Sequence, residues 1–438
     1  MAQVFHRRDM LKATAFTGAG LWLNTGHSFS ESRSPNEKLN IACIGLGNQG
    51  NHNLGLMKSQ NIVALCDVDD ARTGKYVAQF PKAKRFVDFR VMLDKMDKQI
   101  DAVVVTTPNH SHATIAIRAM KMGKHCYCEK PLTHTIFEAR EVQRVAQMQK
   151  VVTQMGIQNH AGENYRRTVE LIQSGAIGDV KKVHVWFGKP GGFRRFKRVI
   201  DRPDVASPVP KGFNWNLWCG PAPVHKFHPC YHPHDWHYWW DYGNGTLGNM
   251  GCHYMDLIFW ALKLQYPNSV ETDGPELHPA STPFWLDCHW KFPARGKMSE
   301  VEVVWHHGRN TPDEVLKSGG PKWSAGILFV GTRGMLAADY NKRILLPEEK
   351  FAEFKAPEKT IPDAIGNHRQ EWYEACKGNG KTLAHFDYAA PLTETILLGN
   401  LAFRLGEKVE WDAKTMSVKN NPQAAKYIHC EYRKGWSL

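Results

Sequence analysis

Three glycines and one carboxylate have the spacing of a dinucleotide-binding site. Gly45, Gly47 and Gly50 form a G-x-G-x-x-G pattern directly after the apolar run 39–44, and Asp67 follows about 20 positions later. The first glycine permits a tight turn, the second lets the backbone approach a pyrophosphate, and the third lets the next helix pack close to the strand. The start of that helix would face the phosphate charge. A carboxylate at Asp67 would accept hydrogen bonds from ribose hydroxyls and repel a 2′-phosphate, so the pattern predicts NAD.

A lysine and a histidine are the candidates for proton transfer. Lys130 comes just after the predicted strand 125–128, where the nicotinamide of a bound dinucleotide should lie. A lysine in a partly desolvated cleft near a cationic ring has a lowered pKa. It could then hydrogen-bond a reacting hydroxyl and relay its proton while a hydride leaves the carbon. His253 follows Asn249 by four positions, so the two side chains would share one face of a helix.

A third group of residues is rich in histidine and aromatic side chains. The segment Phe227–Tyr242 holds four His, three Trp and three Tyr. It could be hydrophobic core, or a metal site using His232, His234 and His237, although no third ligand has a persuasive spacing. We favour a sugar site, because aromatic faces stack on sugar C–H patches while polar groups bond the hydroxyls. The residues expected at the sugar are Tyr231, His232, Trp236 and Trp240.

Strands and helices alternate along the first part of the chain, as in a doubly wound parallel sheet. The predicted strand 100–105 is almost wholly apolar, which is typical of a buried parallel strand. The ligand site of this α/β architecture lies at the carboxyl ends of the strands, and both Asp67 and Lys130 fall there. We therefore expect an NAD(P)-binding Rossmann domain over residues 38–157.

A second, α+β domain is expected over residues 158–438. Its predicted strands alternate apolar and polar positions, which indicates a sheet with one covered face. The predicted strands are 284–292, 299–305 and 326–331, and the predicted helices are 165–174, 368–376 and 391–405. The last two helices should pack outside the site, back toward the Rossmann domain.

The composition excludes several classes of protein. The chain has 438 residues, 42% of them hydrophobic, and no apolar run of the ~18 residues that a membrane span needs. The net charge is +13, but Lys and Arg are scattered apart from a cluster at 194–198, so we expect no nucleic-acid partner. The ten cysteines include no C-x-x-C pair, and we expect no metal.

The first residues have the features of an export signal. Arg7 and Arg8 precede a weakly apolar stretch, 13–23, and then a polar run. Twin arginines in this context resemble a twin-arginine signal. We assign residues 1–34 to this signal and its linker, and expect recognition by the twin-arginine export machinery. The protein would then be periplasmic or otherwise exported, and membrane-tethered if the signal is not cleaved.

Taken together, the motifs resemble those of the glucose–fructose oxidoreductase and inositol dehydrogenase family (Gfo/Idh/MocA), in an exported branch. The motifs are Gly45-x-Gly47-x-x-Gly50, Thr107-Pro108-Asn109-His110-x-His112, Glu129-Lys130-Pro131 and the run 243–256. The family implies a Rossmann domain followed by an α+β domain with a large, mostly antiparallel open sheet. The open face of that sheet often serves in oligomerisation, so a dimer or tetramer is expected.

The resemblance also implies roles for individual residues. It makes Lys130 and His253 the catalytic pair, and the chain departs from the family because Asn249 stands where an Asp is usual. Arg72 is close enough to the cofactor site to leave NADP possible. The residues expected at the cofactor are Gly45, Gly47, Asn48, Gln49, Gly50, Asp67, Thr107, Pro108, Asn109, His112, Glu129, Lys130 and Gln158. Those expected at the substrate, besides the aromatic group, are His160, Arg166, Asn249 and His253.

These expectations define an NAD(P)-dependent oxidoreductase acting on a sugar or sugar derivative by hydride transfer. Free nicotinamide cofactor is scarce outside the cytoplasm, so an exported member should hold its cofactor tightly and regenerate it in place. A redox-neutral glycoside hydrolase, which oxidises, eliminates, adds water and reduces, is one alternative. A cofactor-binding protein without catalysis is another, although the presence of both Lys130 and His253 argues against it.

Overall fold

The first part of the chain forms a six-stranded parallel sheet. The computed structural model describes residues 38–188 and 200–438. The strands run in the order β3-β2-β1-β4-β5-β6, and every neighbouring pair is parallel. The strands are β1 (Asn40–Ile44), β2 (Asn61–Cys66), β3 (Lys84–Phe86), β4 (Ala102–Val105), β5 (His125–Glu129) and β6 (Thr153–Gly156). The strand order reverses between β1 and β4, which is the switch point where this architecture binds ligands. The predicted doubly wound sheet is confirmed.

Five helices connect these strands. They are α1 (Gln49–Leu56), α2 (Asp70–Gly74), α3 (Phe89–Met96), α4 (Asn109–Lys121) and α5 (Ile136–Gln149). Local sequence sets their starts, as α5 shows. The Thr135 hydroxyl accepts from the Glu138 N–H at 3.2 Å, and the Glu138 carboxylate accepts from the Thr135 N–H at 2.9 Å. This capping box satisfies two N–H groups that a helix start leaves without partners.

The second part of the chain is built on a nine-stranded sheet. Its order is β13-β12-β11-β7-β10-β9-β8-β14-β15, and only the β7–β10 pair is parallel among these described strands. The strands are β7 (Val180–Phe187), β8 (Ser269–Asp273), β9 (Leu286–Phe292), β10 (Val301–His307), β11 (Ala325–Gly331), β12 (Gly334–Ala338), β13 (Arg343–Leu346), β14 (Val409–Asp412) and β15 (Ser417–Val418). The prediction of a large, mostly antiparallel sheet is confirmed.

This second part has seven α-helices within the described residues. The long ones pack on one face of the large sheet, the short helix 313–317 packs on the opposite face, and others return to the parallel sheet. The seven are α6 (Glu163–Gln173), α7 (Trp215–Cys219), α8 (Gly245–Leu262), α9 (Asp313–Lys317), α10 (His368–Cys376), α11 (Phe386–Leu405) and α12 (Ala425–Ile428). Trp372 of α10 packs edge-on against Tyr127 of β5, with ring centroids 5.6 Å apart. Glu394 of α11 is fully buried and pairs with Arg140 of α5. The two sheets therefore share one packed core.

Two of the sequence predictions fall outside the described residues. These are the twin-arginine segment 1–34 and the basic cluster 194–198. Within residues 38–188 and 200–438, no helix is both long enough and apolar enough to cross a bilayer.

Candidate active site

A cavity of about 370 Å³ lies along the carboxyl ends of the parallel strands. It extends from the end of β2 across the loop after β1 to the ends of β4 and β5, and segments of the second domain close its outer side. Residues predicted at the cofactor or substrate that line it are Gly45, Gly47, Asn48, Gln49, Asp67, Thr107, Pro108, Glu129, Lys130, Gln158, His232, Trp236 and His253. The fold thus gathers in one place residues that span more than two hundred positions of sequence.

The glycine-rich loop has the shape that a dinucleotide requires. Gly45 has φ +83°, and a Cβ there would lie 2.5 Å from the Thr106 carbonyl oxygen. A Cβ on Gly50 would lie 2.1 Å from the Gly45 carbonyl oxygen, so this glycine supports the turn from behind and does not line the cavity. Gly47 faces the cavity, and the nearest group to its missing Cβ is the guanidinium of Arg72.

Asp67 lies where the ribose carboxylate of a dinucleotide site is expected. Its Oδ2 accepts from the Leu46 N–H at 2.7 Å, and its Oδ1 accepts from the Asp69 N–H at 3.0 Å. Burial raises the pKa of Asp67, while the nearby Arg72 opposes that rise. The two N–H bonds fix the carboxylate at the end of β2 next to the glycine-rich loop, so these residues fit NAD.

Glu129 organises the middle of the cavity floor. Its Oε1 accepts from the side-chain amides of Asn53 at 3.0 Å, Gln158 at 3.0 Å and Gln49 at 3.2 Å. Its Oε2 is buried and has no hydrogen-bond partner within the described residues. A Cβ on Gly156 of β6 would lie 2.5 Å from this carboxylate. A buried oxygen without a partner, on a residue that lines the cavity, is an acceptor suited to a polar group of the cofactor.

Lys130 reaches the cavity from the end of β5 and is held by one residue of α8. Its Nζ donates to the side-chain oxygen of Asn249 and, at 3.1 Å, to the Asn249 carbonyl oxygen. Burial lowers the pKa of Lys130, and the neighbouring Glu129 only partly offsets this effect. Asn249 does not itself line the cavity. Asn249 therefore orients Lys130, whereas the sequence predicted that Asn249 would contact the substrate.

Two imidazoles line the same cavity as Lys130. Burial and the nearby lysine hold the pKa of His253 well below its usual range, and the same two causes act on His237. The Nδ1 atoms of both rings are buried without a hydrogen-bond partner in the described part of the chain. Both rings are therefore neutral near pH 7, and each keeps a ring nitrogen free for a hydrogen bond. His237 stacks on Trp236 with ring centroids 3.6 Å apart.

His237 is a site residue that sequence reasoning considered only as a metal ligand. Within residues 38–188 and 200–438, no group of three or more His, Cys, Asp or Glu side chains is placed to hold a metal ion. The signal that could have placed His237 is Gly243, because a Cβ there would lie 2.5 Å from the His237 backbone. The absence of a side chain at Gly243 lets these two backbones approach closely, and His237 lines the cavity.

Four residues expected at the substrate lie elsewhere. Arg166 is 2% exposed, and its guanidinium donates to Glu371 of α10 at 2.6 Å. His160 is buried, with Nδ1 2.8 Å from the Asp256 carboxylate. Tyr231 is buried in a separate aromatic cluster. None of these three side chains lines the cavity.

Trp240 is the fourth of these residues. Its indole N–H donates to the His278 carbonyl oxygen at 3.1 Å, and the ring lines a second cavity of about 550 Å³ beside Arg404.

Two residues expected at the cofactor also lie just behind the first cavity. The Asn109 amide donates to the Asn244 side-chain oxygen at 2.8 Å, and the ring nitrogens of His112 lie within 2.8 Å of the carbonyl oxygens of Pro131 and Thr107. His112 therefore joins the loops after β4 and β5 and positions Lys130 indirectly.

Replacing Asn249 with aspartate should move the pH dependence of catalysis. A carboxylate beside Lys130 favours the ammonium and raises its pKa, so the lysine stays protonated to higher pH. We expect the acidic limb of the kcat/KM profile of Asn249→Asp to shift upward by about one pH unit or more. Asn341→Asp, in an exposed turn, is the matched control and should leave the limb in place. An unmoved limb in Asn249→Asp would contradict the assignment of the titrating group to Lys130.

Fold and site together define a two-domain protein with a dinucleotide-binding cavity. Residues 39–157 match the Gfo/Idh/MocA oxidoreductase family, NAD-binding Rossmann fold, and residues 162–438 match the C-terminal alpha/beta domain of the same family. The chain belongs to this family.

Curated relatives match the chain over part of their length. An inositol 2-dehydrogenase of Salmonella paratyphi B is 28% identical over 152 residues, which are 33% of this chain and 45% of that protein. A glycosyl hydrolase family 109 protein of Solibacter usitatus is 28% identical over 199 residues, which are 40% of this chain and 44% of that protein. The chain thus spans less than half the length of the curated relatives it matches.

The solved structures show the same fold over most of the chain. The WlbA dehydrogenase of Bordetella pertussis, crystallised with NADH and UDP-GlcNAcA, superimposes with a TM-score of 0.61. The match covers 86% of this chain and 99% of the WlbA chain, at 15% sequence identity. At that identity the likeness establishes the architecture.

Proposed function

We propose that the protein is an NAD-dependent oxidoreductase that acts on a sugar or sugar derivative and keeps its cofactor bound between turnovers. The observation that carries this proposal is that the glycine-rich loop, Asp67, Lys130 and His253 line one cavity. NAD bound there would supply a hydride acceptor for the oxidation of a carbinol carbon. NADP is disfavoured, because the Asp67 carboxylate would face a 2′-phosphate.

The side chains at the β5 end of the cavity supply the proton chemistry. Lys130 hydrogen-bonds the reacting hydroxyl and takes its proton as the carbon loses hydride, since its lowered pKa brings the amine nearer to neutral pH. Asn249 holds the amine in position. The neutral rings of His253 and His237 accept hydrogen bonds from the substrate hydroxyls and relay the proton. Trp236 offers an aromatic face to the apolar side of the sugar ring.

A redox-neutral glycoside hydrolase is the second candidate function, favoured by the similarity to a glycosyl hydrolase family 109 protein. In that cycle, oxidation of a ring carbinol acidifies the neighbouring C–H. A base in the cavity then removes this proton, the leaving group departs, water adds, and the hydride returns to the carbon. The same Lys130 and His253 serve both cycles.

The proposal also includes export, carried by the Arg7-Arg8 segment, and assembly into a dimer or tetramer through the open face of the nine-stranded sheet. An exported enzyme meets little free cofactor, which gives a reason for holding NAD permanently. The proposed localisation is periplasmic, and measurement of the protein in periplasmic and cytoplasmic fractions tests it.

One experiment separates the two candidate functions. The purified protein is incubated with candidate sugars and with their aryl glycosides, without an added acceptor, and both the reduced-nicotinamide absorbance and aglycone release are followed. Stoichiometric reduction that stops indicates a dehydrogenase awaiting its second substrate. Continuous aglycone release indicates the glycosidase cycle. Absence of both with every sugar tested would contradict the proposed function.

A further inference from the structure

Trp436 lies in the wall of the cavity, far in sequence from every motif that predicted the cofactor site. The Arg90 guanidinium lies 4.3 Å from the centre of its ring, and the ring of Phe89 lies 6.1 Å away. Both of these residues begin α3, which directly follows β3. Trp436 therefore packs at the β3 end of the parallel sheet.

The strand order places Trp436 at one particular end of the cavity. In the order β3-β2-β1-β4-β5-β6, β2 and β3 lie on one side of the switch point, while β5 lies on the other. Asp67 directly follows β2, and Lys130 directly follows β5. Trp436 is thus on the Asp67 side, where the adenosine half of a dinucleotide lies, and is remote from the reacting half.

The segment 433–438 is fastened on both sides of this position. Arg433 donates from Nε to the Gly220 carbonyl oxygen at 2.8 Å and from Nη2 to the Asn216 carbonyl oxygen at 2.9 Å. From the other side, the Arg90 guanidinium donates to the Gly435 carbonyl oxygen at 3.2 Å. The segment therefore bridges the α7 region of the second domain and α3 of the Rossmann domain.

A second piece of chain closes the same end of the cavity. The Asp70 N–H donates to the Gly212 carbonyl oxygen at 2.9 Å, and the Asn214 N–H donates to the Val68 carbonyl oxygen at 2.8 Å. These bonds dock the chain before α7 onto the loop after β2. The apolar side chains that line this end are Val68, Val87, Phe89, Ile115, Leu217 and Trp436. An end of the cavity lined by these apolar side chains suits the faces of a purine base.

We infer that Trp436 is a cofactor-binding residue that forms the outer wall of the adenine pocket, and that the 433–438 segment retains NAD by covering this pocket. The inference rests on the proposed function, because it takes NAD as the ligand of the cavity. Release of the adenine requires the segment to leave, and departure breaks the Arg433 and Arg90 bonds to the backbone. Retention of cofactor is then a property of this chain's own second domain.

The dissociation rate of bound NAD tests the inference without any assay of catalysis. The full-length protein is loaded with radiolabelled NAD and chased with unlabelled NAD. We expect Trp436→Ala to release the label at least about tenfold faster than the wild type, as the loss of a large apolar contact implies. Trp436→Phe should stay close to the wild type, and Lys419→Ala, at an exposed position outside the 433–438 segment, should match it.

Half-cofactor probes locate the effect. Trp436→Ala should weaken the binding of ADP-ribose and leave that of nicotinamide mononucleotide unchanged. Arg433→Ala, which frees the segment but keeps the indole, should also speed NAD release, and it serves as the test if Trp436→Ala does not fold. NAD release at the wild-type rate in the folded variants would overturn the inference and leave the proposed function standing. A wild-type protein that neither carries nor binds NAD would overturn both.

Discussion

Replacing Lys130 with methionine is expected to lower kcat/KM for the sugar substrate by about 10³-fold, within the range that a positioned acid–base group contributes. Methionine keeps most of the length and apolar volume of the lysine side chain but cannot accept or donate the substrate proton. The bonds from Lys130 to Asn249 are lost as well, so the hydroxyl loses both its base and its positioning group.

The controls for this variant separate chemistry from folding. NAD content should be unchanged, since the glycine-rich loop and Asp67 do not depend on the amine. Lys95→Met, at an exposed position on α3, should keep wild-type activity. Sugar turnover that survives Lys130→Met would refute the assigned chemistry. Loss of turnover in Lys130→Met with NAD still bound would show that the wild-type protein is an enzyme and not a cofactor-binding protein without catalysis.

Replacing Gly45 with alanine is expected to have the second large effect, on cofactor binding. The residue has φ +83°, and the new Cβ would lie 2.5 Å from the Thr106 carbonyl oxygen. Strain of about 1–3 kcal/mol is typical of such a conformation in a residue other than glycine. The free loop can relax to relieve the strain, and NAD binding must then restore it, so we expect binding to weaken about 5- to 150-fold.

Gly55 provides a matched control within the next helix. A Cβ at Gly55 meets no atom within 4 Å. Within a helix, alanine is more stable than glycine by up to about 1 kcal/mol. Gly55→Ala should therefore bind NAD like the wild type and unfold at an equal or slightly higher temperature. Titration of the protein with NAD, with thermal unfolding of each variant, measures both effects. Unweakened binding in Gly45→Ala would show that the loop is not the phosphate cradle.

The local part of the site was predictable from the sequence, because a strand, a glycine turn, a helix and a second strand lie within about thirty residues. Gly45, Gly47 and Asp67 lie in the cavity as that unit requires. The apolar run at 100–105 predicted the central strand β4, and all four residues of that strand are buried. Lys130 was also predictable, because the end of a parallel strand fixes where the next residue points.

The misses have a common physical cause. Arg166 was expected to reach the substrate, but its partner is Glu371, which is 205 positions away in sequence. The residue pattern of α6 does not reveal that Arg166 will be buried in an ion pair with an acidic residue so distant in sequence. The aromatic segment has the same difficulty, because His232, Trp236 and His237 line the cavity while Tyr231, Trp239 and Tyr242 are buried and do not. Trp436 enters the cavity only because the chain returns to α3 near its end.

The most direct test of the central claim is a single-turnover measurement on the protein as isolated, with no nicotinamide added. The sugar that supports turnover is mixed rapidly with the protein, and the reduced-nicotinamide band is recorded against the bound NAD determined by extraction. We predict that the band rises with wild-type protein, to no more than one equivalent of the bound NAD, and stays flat with Lys130→Met. Protein that contains no nucleotide and takes up none, or an equal rise in both proteins, would contradict the account.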